Sequence, residues 1–313
     1  MKLHQLQAFL IAVETGSIRG AARKMNLSQS ALTKALRELE QDLDVSLIHR
    51  SVRGVHLTED GTRLLARAKL IVRQADLARS EIQQMKGVDE GSVSVGVTPL
   101  VALTVLPHAV AAFRKKYRNV HLHVVEGLEG ITIPGIRQGK LDFGIMIIAG
   151  DHVGEDLAFE RWFRASNVVA MREGHPLAKA RKLQELVDVE WLATSFGTHG
   201  LGTKLIGYFN EAGLPAPERV LRCESVLSAL GIVRNSDVVT FMPRGLLDCP
   251  ETQGIKAVPL ASVPPDSSIG IITRSDVPLS PVAKAFADVM KDKTLRWCAS
   301  AAGKKSCSKV FIG

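Results

Sequence analysis

Gln29, Ser30, Thr33, Lys34, Arg37 and Gln41 are six hydrogen-bonding residues within one short stretch, QSALTKALRELEQD. Wound as a helix at about 100° per residue, the stretch puts Ser30, Thr33, Lys34, Arg37 and Gln41 on one face. Leu32, Ala35, Leu36, Leu39 and Leu43 fall on the other. A row of donors on a helix held from behind suits the base edges and phosphates of a DNA major groove. A few residues later, LIHRSVRGVHL places Arg50 and Arg53 at the base and tip of a small hairpin, within reach of phosphate or a minor groove.

A second group of polar residues stands where strands end and helices begin. Sheets fed by alternating strands and helices bind ligands beyond the C-terminal ends of their strands. One such end is Thr98-Pro99-Leu100-Val101; the other holds Ser195, Phe196, Thr198, His199 and Thr203 ahead of a helix. Hydroxyls and an imidazole at helix N-termini suit an anion. Leu100, Val101, Ile147 and Phe196 would receive an apolar body, so a small organic acid is the expected ligand. GTHGLGTKL is not a phosphate loop, because Thr203 precedes Lys204 where that motif needs lysine first.

Bond-making chemistry is not indicated. No G-x-S-x-G elbow occurs, and His121 and His123 alternate on a strand without a third ligand nearby. We expect no catalytic residue, no metal site and no cofactor. Cys223, Cys249, Cys298 and Cys307 lack metal-site spacing and read as free thiols of a reducing compartment. Cys223, near a strand end, leaves open a redox-sensing role.

Elements must position these groups. Ser17 and Ser28 can each cap a short helix, with only Asn26-Leu27 between them as a turn. Ile18, Ala21, Ala22 and Met25 would pack inward from the first, and Leu3, Leu6, Phe9, Leu10 and Val13 from an earlier helix. The result is a helix-turn-helix. Strands over 47–50 and 55–57 form its wing. Thr58 then caps a long helix over 59–85 whose Leu64, Ala68, Ile71, Ala75, Ala78, Ile82 and Met85 step by 4, 3, 4, 3, 4 and 3. That heptad seam predicts pairing with a second helix.

Beyond Gly87, strands and helices alternate as βαβαβ. The alternation restarts at NVVAMRE, giving two α/β lobes with parallel strands. The helix over 201–212 should end at Gly213, and after the helix over 225–234 Asn235 can take the positive φ that glycine usually supplies. The helix SPVAKAFADVMKDKTLRW should pack back on the first lobe. The tail, 298–313, has no periodicity and is expected to be poorly ordered.

Charge follows the same division. Residues 1–87 carry 14 Lys/Arg against 9 Asp/Glu, residues 88–290 carry 20 against 22, and residues 291–313 carry 6 against 1. A basic N-terminal module on a near-neutral body suits a polyanion partner for that module. No apolar run reaches the roughly 18 residues of a membrane span, and no signal-peptide core opens the chain. A soluble, cytoplasmic location is expected, with no membrane partner.

The stretch from Leu6 to Gly61 resembles the winged helix-turn-helix of LysR-type transcriptional regulators, through LQAFLIAVETGSIRGAARKMNLSQSALTKALRELEQDL followed by LIHRSVRGVHLTEDG. It departs in having Ser30 where the family usually has proline and Ile18 where phenylalanine is frequent. A looser resemblance runs to about Trp297. It implies an α+β multidomain chain: a DNA-binding domain over 1–58, a dimerising linker helix over 59–87 and a two-lobed α/β effector domain over 88–297, akin to periplasmic binding proteins. Lobe I would take 88–162 and 268–297, lobe II 163–267, with crossings near 159–166 and 262–275. The strand ends at Thr98 and Ser195 would line the inducer cleft. Where the family usually has a Gly-x-Gly turn after the helix SVLSALGIV, this chain has RNSD. The expected function is an effector-controlled regulator that is not an enzyme, with double-stranded DNA, a small organic acid and further copies of itself, as dimer and tetramer, for partners. A small-molecule binding or transport component with a non-DNA assembly module is the alternative.

Overall fold

The structure is a computed structural model and describes residues 1–51, 54–85, 91–148, 153–194 and 201–311. The chain forms two compact units, Met1–Val88 and Asp89–Gly313.

In the N-terminal unit, α1 (Leu3–Thr15), α2 (Ile18–Lys24) and α3 (Gln29–Leu43) enclose Leu6, Phe9, Ala12, Ala21, Ala22, Leu32, Ala35, Leu36 and Leu39. The caps form as the sequence predicts. Ser17 Oγ accepts the Gly20 amide at 3.2 Å, and Ser28 Oγ accepts that of Ala31 at 3.1 Å. Asn26 turns the chain between them in the left-handed region, φ 54°, which a short amide side chain tolerates. Leu43 ends α3 in the open instead of joining the core.

The wing is β1 (Ile48–Ser51), one residue later than expected, paired antiparallel with β2 (Gly54–Leu57), which begins one residue earlier than expected. Glu40 of α3 accepts the amides of Leu47 and Ile48, at 2.9 and 3.3 Å, and so fixes where the wing begins. Thr58 caps α4 (Glu59–Met85): its hydroxyl accepts the Gly61 amide at 2.9 Å and donates to the Ser46 carbonyl at 2.7 Å.

The C-terminal unit holds two mixed sheets. The first orders β13-β6-β12-β5-β3-β4 and the second β11-β7-β10-β8-β9. In chain order these are β3 (Gly91–Val97), β4 (Val120–Glu126), β5 (Phe143–Ile148), β6 (Leu157–Ala165), β7 (Asn167–Arg172), β8 (Trp191–Ala193), β9 (Val220–Arg222), β10 (Val239–Pro243), β11 (Ile255–Ala257), β12 (Ser267–Arg274) and β13 (Cys307–Val310). The intervening helices are α5 (Pro99–Thr104), α6 (Leu106–Lys116), α7 (Glu129–Arg137), α8 (Leu201–Glu211), α9 (Val226–Asn235), α10 (Pro281–Ala299) and α11 (Ala301–Ser306). β3 runs parallel to β4 and β5, and β8 parallel to β9 and β10, as the alternation requires.

The chain crosses between the sheets twice, at Ser166 and through residues 258–266. Buried Asn167 ties the crossings together, donating from Nδ2 to Pro265 O at 2.6 Å and Ser267 Oγ at 2.8 Å. α10 returns to the first sheet as expected, with Phe286 against Phe113 and Phe143.

Two expectations are corrected. Asn235 does not take a positive φ. Its Nδ2 donates to the Gly231 carbonyl at 2.8 Å and Ser236 Oγ donates to that of Ile232 at 2.7 Å, so side chains satisfy the end of α9. The tail is not unstructured as far as Phe311. Ser300 caps α11 through the Gly303 amide at 3.1 Å, and β13 extends the first sheet beside β6. The sequence shows no period there because a six-residue helix and a four-residue edge strand are too short to display one.

Candidate DNA-reading helix and effector cleft

On α3, Gln29, Ser30, Lys34, Arg37 and Gln41 are exposed and Thr33 is half-buried, while the leucines behind them sit in the core. No acidic residue occupies the first turn of α3, which leaves its positive end open to phosphate. Ser30 Oγ lies 2.9 Å from the capping Ser28 Oγ. Lys34 Nζ stands 3.9 Å from Glu38 Oε1 and stays largely exposed. Arg37 has no acidic partner among the described residues. Arg19 and Arg23 on α2 are also exposed; they fall outside the α3 spacing, so no periodic pattern singles them out. Arg50 stands opposite Val55 in the wing, and Arg53 lies outside the described residues.

The heptad residues of α4 divide. Ala68 is fully buried in the core of the N-terminal unit, which closes it to a second helix, and half-buried Leu64 packs against that core. Ile71 is 41% exposed and Ile82 57%. Ala75 is half-buried and Ala78 exposed. The seam that a partner could reach is therefore the half over 71–82.

In the C-terminal unit, Thr98 ends β3 and precedes α5. It is 2% exposed, and its Oγ1 has no hydrogen-bond partner among the described residues. Beside it, Pro99, Leu100 and Ile147 from the first sheet's side meet residues of β10 and α9, including Leu230, Phe241 and Met242, around a cavity of about 40 Å³. Val101 is buried in the core behind. The α9 and β10 lining was missed from sequence. Those residues lie more than 100 positions from Thr98, and only closure of one sheet on the other brings them near. Ser195, Phe196, Thr198 and His199 lie outside the described residues; Thr203 falls in the first turn of α8.

Close by in α8, Lys204 Nζ donates to the main-chain oxygen of Asp266, in the second crossing. Burial lowers its pKa to about 8, against the opposing pull of the Asp266 charge. His175 is structural: its Nδ1 accepts the Leu177 amide at 2.9 Å, so Nε2 carries the proton toward Asp237 O at 3.1 Å. Among the described residues, no three His, Cys, Asp or Glu side chains gather as a metal site, and no helix is long and apolar enough to cross a membrane.

A donor-bearing winged helix-turn-helix joined to a two-sheet α/β unit defines a class of DNA-binding regulators that carry a ligand-binding domain. Residues 3–62 match the bacterial regulatory helix-turn-helix protein, lysR family, and residues 86–294 match the LysR substrate binding domain. The chain belongs to the LysR family of transcriptional regulators. The alternative of a transport component with a non-DNA assembly module is set aside by the first match.

Among its relatives, the uncharacterized HTH-type transcriptional regulator YbhD of Escherichia coli (strain K12) is 27% identical over 288 residues, covering 91% of this chain and 89% of that protein. The HTH-type transcriptional regulator GbpR of Azospirillum brasilense is 27% identical over 289 residues, covering 91% and 84%. Full-length CbnR, solved in complex with its target DNA, shares the fold at a TM-score of 0.68 and 21% identity, covering 94% of this chain and 100% of that one.

Proposed function

We propose that this regulator works as a dimer joined through the 71–82 half of α4, reads its operator with Gln29, Ser30, Thr33, Lys34 and Arg37, and answers to a small organic acid held between the two sheets. Arg50 and Arg53 would add wing contacts. The carrying observation is Thr98: a buried hydroxyl oxygen without a partner among the described residues, next in the chain to Pro99 and Leu100, which line an apolar cavity. A buried hydroxyl left unpaired is costly, and a ligand's carboxylate would pair it. The apolar walls would take a hydrocarbon or aromatic body.

The cavity of about 40 Å³ is far below the roughly 300–1,000 Å³ of a drug-sized ligand site. An effector would therefore enter only as the sheets part, and its binding energy would favour the parted state. That shift is the signal we propose is passed to the DNA-bound dimer.

Calorimetry of the full-length protein against aromatic and aliphatic carboxylates, with cationic and neutral isosteres beside them, tests the ligand class. The acids should bind and the isosteres should not; tighter binding of a cation would refute the reading. Gel-shift titration of Arg37→Ala tests the reading helix. Loss of specific operator binding with the dimer intact is expected, and wild-type affinity would refute the assignment.

A further inference from the structure

Cys298 and Cys307 stand with their Sγ atoms 2.6 Å apart. That is closer than unbonded sulfurs ordinarily approach and only about 0.6 Å beyond a disulfide bond. Both lie past residue 294, where the family's substrate-binding match ends. We propose that the pair is a reversible disulfide site, oxidised by exchange with a low-molecular-weight disulfide, and that closing it fastens the C-terminal strand β13 across the two crossings between the sheets.

The two thiols are unequal. Cys298 sits in the last turn of α10 and is 4% exposed, whereas Cys307 opens β13 and is half-buried. Cys307 is the sulfur that a small disulfide can reach. The hydrogen bond with Cys307, together with burial, pushes the Cys298 thiol up, which disfavours it as the first nucleophile. Cys223 and Cys249 have main-chain oxygens as their partners, Ser225 O at 3.3 Å and Gly245 O at 3.7 Å.

The strand that this bond would hold spans both crossings. Ser166 donates its amide to Ser306 O at 2.8 Å, and Phe311 donates its own to Trp162 O at 2.8 Å. Ser308 Oγ donates to the Asp266 carboxylate, in the second crossing. The Arg161 guanidinium lies 4.8 Å over the Phe311 ring. β13 nevertheless has only four residues and is paired on one side alone. An edge strand so short holds weakly by itself, so a covalent anchor at its first residue matters.

The exchange balances without a further reagent. The Cys307 thiolate attacks one sulfur of the small disulfide, forming a mixed disulfide and releasing one small thiol, which takes up the Cys307 proton. Cys298 then gives up its proton and attacks Cys307 Sγ. The Cys298–Cys307 bond forms, the mixed bond breaks, and the second small thiol leaves with that proton. Two protein thiols are oxidised and one small disulfide is reduced. The inference is independent of the effector reading.

The test incubates the wild-type full-length protein with oxidised glutathione, then maps it with trypsin. Cleavage after Arg296, Lys304, Lys305 and Lys309 separates the two cysteines, so peptides 297–304 and 306–309 should travel together, two hydrogens lighter than their sum, and part on reduction. Amide exchange over β13 should slow by about tenfold or more, and Cys307→Ser should show no such slowing. A glutathione adduct persisting on Cys307, two free thiols after incubation, or a disulfide that leaves β13 exchange unchanged would each overturn the proposal.

Discussion

The carbonyl of Gly16, which closes α1, accepts the amide of Val55 in the wing at 2.9 Å. This one bond joins the helical core to β2 and sets where the hairpin lies against the helices. Gly54 stands next to it with φ 119°. A Cβ there would lie 2.6 Å from the same Gly16 oxygen. Gly54→Ala should therefore destabilise the N-terminal unit by about 1–3 kcal/mol, from backbone strain and the lost approach together. DNA affinity should fall with it. A denaturation midpoint equal to that of wild type would show that the wing tolerates the displacement.

α4 offers a test of where one chain stops and a partner begins. Ala68 lies inside the core of its own unit, whereas Ala75 is half-buried beside exposed Ile71. Ala68→Glu should cost several kcal/mol, as an unpaired buried charge does, and should unfold the N-terminal unit. Ala75→Glu should leave the unit folded, with a change of about 1 kcal/mol or less, but halve the mass seen by light scattering. An undiminished mass for Ala75→Glu would mean that the dimer forms elsewhere.

The contrast between those two alanines shows what a sequence can disclose. Spacing picks out a heptad face on α4, and its members meet different surroundings. Spacing could not tell that its first two members, Leu64 and Ala68, pack on the chain's own α1–α3 core, because both uses ask for the same small or apolar residue. Caps were legible at Ser17 and Ser28, where a hydroxyl precedes an apolar helix and the chemistry is local. The end of α9 was not, since Asn235 can end a helix either by its backbone or by its side chain, and it uses the side chain. Thr98 was legible as a strand end. That its hydroxyl is orphaned depends on packing from distant strands, and no local pattern encodes it.

Thr98→Val keeps the shape and removes the orphaned oxygen. If that oxygen awaits a ligand, its removal should stabilise the ligand-free protein by about 1 kcal/mol and weaken the effector response. The two readouts run in opposite directions, which a merely structural threonine would not produce. Thermal unfolding without ligand and calorimetry with the best-binding acid check both. A destabilised variant would mean that Thr98 is already satisfied in solution.

Lys204 gives the C-terminal unit a pH signature with a definite sign. Its ammonium donates to Asp266 O from α8, and burial lowers its pKa from 10.5 to about 8, with the Arg164 charge acting in the same direction and that of Asp266 against it. In the unfolded chain the lysine keeps its proton up to its ordinary value, so between pH 8 and 10.5 the unfolded state binds more protons than the folded one. Stability linked to this group must then rise with pH across that window, by up to about 3 kcal/mol for the full shift. Below pH 8 both states are protonated and the dependence vanishes. Lys204→Met has no such proton. Subtracting the variant's unfolding free energy from that of wild type, at pH 7.5 and again at pH 10.5, cancels the other titrating groups. The difference should grow with pH in favour of wild type. A difference that stays flat, or that shrinks, would show that the ammonium is solvated and that α8 is not held to the second crossing through Lys204.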